Sequence, residues 1–80
     1  MKAKVYISYK DGILDPQGKT VGIALSSIGI EGISNVRIGK YIEILFESVT
    51  KEEATEITEK SCKILLANPN TESYKFEIED

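Results

Sequence analysis

The sequence predicts an α+β fold, and three observations carry that prediction. The first is Ile33 to Val49, ISNVRIGKYIEILFESV, where Val36, Ile38, Ile42, Ile44 and Phe46 fall at one parity and Arg37, Tyr41, Glu43, Leu45 and Glu47 at the other. A period of two held this long belongs to extended chain with one buried sheet face. The second is a pair of shorter alternating runs at the two ends, with Val5, Ile7 and Tyr9 inward in one and Tyr74, Phe76 and Ile78 inward in the other. The third is a helical pattern between each end run and the centre. Counted with two central strands, the order is βαββαβ. Its economical packing is one antiparallel sheet with both helices on one face, a ferredoxin-like-related sandwich.

Each element has a local cause. Lys2 to Lys10 alternates and is rich in β-branched and aromatic residues, so it is a half-buried strand, ended by Asp11-Gly12. Asp15 is placed to accept from free helix N–H groups, and Pro16 suits the first helical position. The helix that follows carries Val21, Ala24, Leu25 and Ile28 on one stripe, with Gly29 as its C-terminal cap. Gly18 and Gly22, four apart, mark either a close backbone approach or a weak helix. Gly39-Lys40 interrupts the central stretch. A two-residue hairpin there would bring Glu43 among the core groups and is rejected. A three-residue loop, Gly39 to Tyr41, and a single long strand bent at Gly39 both keep the apolar parity.

Thr50 with Glu53 forms a capping box that opens a second helix. Its inward stripe is Ala54, Ile57, Thr58, Ser61, Ile64 and Leu65, and Glu56–Lys60 and Glu59–Lys63 are spaced to pair on the surface. This helix ends near Ala67, and Asn68-Pro69-Asn70 turns into the last strand, Ser73 to Glu79. Tyr6, Tyr41 and Leu45 are left on the opposite sheet face, which fits contact with another chain.

Composition narrows the function. Eighty residues, 41% hydrophobic and 29% charged, describe one domain, residues 1–80, with a small core. The net charge of −3 is uneven: residues 1–40 carry six basic and three acidic groups, and residues 41–80 four and ten. There is no histidine, and the single cysteine, Cys62, makes neither an internal disulfide nor a zinc site. Ser8, Ser26, Ser27, Ser48, Ser61 and Ser73 therefore have no imidazole to activate them. The carboxylate pairs Glu43–Glu47 and Glu52–Glu56 lie where a solvated surface is expected. The glycines match neither nucleotide-binding pattern. Tyr6 and Tyr41 are suited to stacking bases, but the negative charge and missing RNP motif argue against nucleic acid. The opening MKAKVYIS turns polar by Ser8, unlike a secretion signal, and no run is long enough to span a bilayer, so the expected compartment is the cytoplasm. These residues describe a non-catalytic domain that works by meeting other proteins.

Two segments add a family resemblance: Lys10 to Gly18, KDGILDPQG, and Asn35 to Glu43, NVRIGKYIE. With Val5-Tyr6-Ile7, the acidic second helix and Leu65-Leu66-Ala67-Asn68-Pro69, they resemble the PurS small subunits of phosphoribosylformylglycinamidine (FGAM) synthase over essentially the whole chain. Asp11 and Tyr9 depart from the family's usual proline and leucine. The resemblance implies a homodimer or higher homo-oligomer, inactive alone, joining a large PurL-type synthetase subunit to a PurQ-type glutamine amidotransferase subunit in purine biosynthesis. It implies no cofactor on this chain, with ATP and magnesium in the synthetase partner. Lys10, Asp15, Pro16, Gln17 and Gly18 become a candidate contact loop, and Arg37, Gly39, Lys40 and Tyr41 a second at the bend. Arg37 and Lys40 have no structural task evident in the sequence, which favours a partner or an anionic substrate edge. The rival expectation is a ferredoxin-like regulatory or RNA-binding module.

Overall fold

A computed structural model describes residues 1–80. The fold is α+β, with an antiparallel sheet and the helices on one side of it, in the order β1 (Lys2–Tyr9), α1 (Pro16–Ser27), β2 (Lys40–Leu45), α2 (Lys51–Ser61) and β3 (Glu72–Glu79). A π-helical turn, Cys62–Leu66, extends α2. Strand β1 is central, pairing antiparallel with β2 from Lys2↔Leu45 to Ile7↔Lys40 and with β3 from Lys2↔Glu79 to Tyr9↔Glu72.

The sheet has three strands, which decides between the two alternatives the sequence leaves open, a hairpin and a single bent course. Residues 33–39 run into β2 without a hairpin, so the central stretch is one course rather than two paired strands. Its first half lies beside α1 instead. Ile38 donates its N–H to the Asp15 carboxylate at 2.8 Å, and a Cβ at Gly18 would stand 2.3 Å from the Val36 carbonyl. Gly18 therefore marks a close backbone approach. At Gly22 a Cβ would meet only the Val36 side chain at 3.7 Å, an ordinary contact.

The core sits between the sheet and α2. Ala3, Val5 and Ile7 of β1 cluster with Cys62 and Ala67, with Tyr74, Phe76 and Ile78 of β3 packed alongside as the alternation predicts, and Ala54 and Thr58 of α2 are buried too. Helix α2 opens on the predicted capping box: Glu53 N–H donates to Thr50 Oγ1 at 3.1 Å, and Thr50 N–H to Glu53 Oε1 at 2.9 Å. Its buried stripe differs from the predicted one. Ala54, Thr58 and Cys62 follow each other at four-residue steps, and the Ala67 N–H reaches back five residues to Cys62 at 3.1 Å. That wider turn leaves Ile64 and Leu65 exposed, at 71% and 80%, and Ile57, earlier in α2, lies outside the buried stripe as well.

Helix α1 is placed differently. It makes no extensive contact with the sheet and buries only Gly18, so its apolar stripe points away from the core. The chain measures 50 × 26 × 14 Å, with a radius of gyration of 16.1 Å. A compact domain of this length would have roughly 12 Å. Residues 10–39 form an arm projecting from a body made of β1, β2, α2 and β3.

Candidate functional site

No chemistry is assembled in the body. The Cys62 thiol is fully buried and pushed up by that burial, so it stays protonated and inert. No group of three or more metal-ligating side chains is brought together. On the open sheet face Tyr6 and Tyr41 sit 5.2 Å apart, and Lys75 lies 5.7 Å over Tyr6. Their hydroxyls donate to carboxylates, Tyr6 to Glu77 at 3.3 Å and Tyr41 to Glu43 at 2.7 Å. The Glu43 bond pushes the Tyr41 phenol up to about 12, and Glu43 is held below the usual carboxylate range by Tyr41 and Lys2. A phosphate backbone would meet those carboxylates, which opposes nucleic-acid binding on this face.

All the predicted contact residues except Tyr41 gather at one place, the neck joining arm to body. Two chain segments cross it, one after β1 and one before β2. Asp15 caps α1 by accepting from Gly18 N–H at 2.8 Å while it accepts from Ile38 N–H, so one carboxylate ties both crossings. These bonds, Ile38 first, hold its carboxyl below the usual range. Pro16 opens the helix, as predicted, and Gln17 follows on the exposed surface. The Lys10 ammonium donates to the Pro69 carbonyl at 2.7 Å.

Arg37 and Lys40, which the sequence left without structural tasks, have them. The Arg37 guanidinium donates to the Tyr9 carbonyl at 2.5 Å and lies 3.6 Å from Asp11. Lys40 pairs at 3.5 Å with Glu72, whose side chain is only 12% exposed. At Gly39 the backbone passes so close to β1 that a Cβ would stand 2.3 Å from the Ile7 carbonyl. Tyr41 alone of the second group lies apart, on the open sheet face. Beside the neck, α1, the 10–15 loop and residues 33–37 line a groove of about 580 Å³ that includes Ile13, Leu14, Lys19, Ile23 and Ile33.

Because the Asp15 carboxyl is depressed in the folded chain, its stabilisation is present above the ordinary carboxylate pKa and is lost as pH falls through the depressed value. Asp15→Ala should lower the thermal midpoint at pH 7, and Asp15→Asn by less, since an amide oxygen still accepts. The gap between wild type and Asp15→Ala should close as pH is lowered through the acid range in thermal unfolding followed by circular dichroism. A gap independent of pH would remove the carboxylate from the account.

Surface chemistry completes the site. Eight residues are buried, whereas fourteen large apolar side chains are exposed, among them Leu14, Ile23 and Ile28 on the arm and Leu45, Ile64 and Leu65 on the body. Such a surplus is unusual for a solitary domain. A family model described as PurS: Phosphoribosylformylglycinamidine (FGAM) synthase matches residues 2–80. The chain belongs to the PurS family.

The likeness spans nearly all of this chain and most of the length of the PurS subunits it matches. Phosphoribosylformylglycinamidine synthase subunit PurS of Bacillus subtilis (strain 168) is 40% identical over 79 residues, spanning 99% of this chain and 93% of that protein. The solved B. subtilis PurS superposes with a TM-score of 0.87, covering 99% of this chain and 98% of that one. PurS of Methanocaldococcus jannaschii, described as one of the subunits of formylglycinamide ribonucleotide amidotransferase in the purine biosynthetic pathway, gives 0.88 at 38% identity, covering 99% and 95%. A chain from the structure of PurLQS from Thermotoga maritima gives 0.85 at 33% identity, covering 95% and 93%. The PurS fold therefore includes this arm-and-body layout as a whole.

Proposed function

We propose that this chain is the small, non-catalytic subunit of FGAM synthase in purine biosynthesis, read as one PurS domain over residues 1–80. It holds a large PurL-type synthetase subunit and a PurQ-type glutamine amidotransferase subunit together, so that ammonia released from glutamine reaches formylglycinamide ribonucleotide. The observation that carries this is the family match over residues 2–80. The PurLQS likeness supports the same assembly. The chain itself offers no activated nucleophile, general base or phosphate loop, and ATP and magnesium are assigned to the synthetase partner. The absence of a helix long and apolar enough to cross a membrane agrees with a cytoplasmic site of work.

Self-association belongs to the same proposal. An arm that buries only Gly18, and a body that leaves Ile57, Ile64 and Leu65 outside, support a homodimer or higher homo-oligomer. The nine residues at and near the neck are proposed as part of the region that meets the large subunits. Pro16, Gln17 and Tyr41 offer side-chain surface, Lys10, Arg37 and Lys40 offer charge, and Asp15, Gly18 and Gly39 shape the backbone that presents them. Sedimentation of the purified chain at tens of micromolar should give at least a dimer, and adding the two large subunits should move it into a heavier species. A monomer that stays separate from both partners would overturn the proposal.

A further inference from the structure

The neck has the features of a hinge. Its first crossing contains Gly12, at φ +84° and with nothing within 4 Å of where a Cβ would stand, while its second is anchored to the body where Gly39 passes close to β1. Two side chains tie the crossings to one another. Asp15 does so at the arm end, joining α1 to Ile38. Arg37 does so at the body end, reaching from the incoming 33–39 segment to the last residue of β1 and to Asp11 just beyond it. Lys10 and Lys40 fasten each crossing separately to the chain around β3, through Pro69 and Glu72, and leave the relation between arm and body to the other two.

We infer that Arg37 is the latch of this hinge: by holding the Tyr9 carbonyl and Asp11 together, it sets the angle between the arm and the sheet body. The pair with Asp11 is exposed on both sides and contributes little alone. The bond from a charged donor to the Tyr9 carbonyl is the stronger contact, and a planar guanidinium presents separate N–H groups to the two partners in a fixed fork, where an ammonium is a point charge on a flexible stem. Arg37 is thus a positioning residue. It orients the apolar arm, including Ile23 and Ile33, relative to Leu65 on the body before anything packs on either. In a molecule 50 Å long, a small rotation at the neck moves the arm tip further than a close-packed contact tolerates.

The test reads the angle directly, on the chain by itself. Spin labels at Ser27→Cys on the arm and Glu56→Cys on the body report one intramolecular distance by pulsed dipolar spectroscopy, in protein diluted with excess unlabelled chain. The unmodified neck should give one narrow distribution. Arg37→Ala should broaden or displace it, while the thermal midpoint of the sheet signal stays in place. Arg37→Gln, which keeps the stem and loses the charge and fork, should do the same and serves if the alanine variant does not fold. Arg37→Lys should fail to restore the narrow distribution, and Asp11→Ala should largely retain it. Lys19→Ala removes a basic group from the groove that has no ion-pair partner, so it should leave the distance unchanged. A distribution in Arg37→Gln that matches the unmodified chain would overturn the latch, as would equal broadening in Lys19→Ala. Because no partner subunit takes part, either result leaves the assembly proposal standing.

Discussion

Gly39→Ala is expected to destabilise the chain by about 3 kcal/mol, enough to threaten folding in a domain with so small a core. The added Cβ would stand 2.3 Å from the Ile7 carbonyl, 3.4 Å from its carbon and 3.6 Å from Ser8 Cα. All three are backbone atoms of β1, which is fixed by pairing on both edges, so no side chain can swing aside. Residue 39 also precedes the Ile7↔Lys40 pair that closes the β1–β2 ladder. Relief would require β2 to move off β1 and draw Ile42 and Ile44 away from the core. In a chain this short the cost corresponds to roughly 15 °C in Tm. Gly22→Ala is the control. Its Cβ would meet only Val36 carbons at 3.7 and 4.0 Å, and alanine is the better helix residue, so the midpoint should hold or rise slightly. Equal losses in the two variants would contradict the close approach at Gly39.

The sequence was most legible where structure is local. Alternation placed β1 and β3 and named their buried sides. Thr50 with Glu53, and Asp15 with Pro16, located both helix starts to the residue because caps depend on neighbours a few positions away. Ile64 and Leu65 depart from the predicted stripe because a three-and-four spacing describes a regular helix, whereas the π-helical turn shifts burial to Cys62. The stripe on α1 was recognised, but periodicity says that a face is to be covered and not by what. The tasks of Arg37 and Lys40 were out of reach for another reason. Their partners, a Tyr9 carbonyl and Glu72, are distant in the chain, and a backbone acceptor leaves no mark in a sequence. The clustering of the two quoted segments at one neck became apparent only in three dimensions.

Removing this chain from the reconstituted enzyme should abolish most glutamine-dependent turnover and leave ammonia-dependent turnover largely intact. Free ammonia in water at neutral pH becomes mostly ammonium, which has no lone pair to attack with. A glutaminase and a synthetase working separately must therefore rely on the small unprotonated fraction that diffuses between them. Holding both in one assembly raises the effective concentration of ammonia at the point of use, as tethering does for linked binding partners. The chain by itself should turn over neither glutamine nor ATP, since it presents no residue able to activate either. The decisive measurement is the initial rate of FGAM formation by the synthetase and glutaminase subunits, with and without this chain, using glutamine or concentrated ammonium salt as nitrogen donor. The account predicts loss of most of the rate with glutamine when the chain is omitted, and little change with ammonium. Full glutamine-dependent activity in its absence would contradict it.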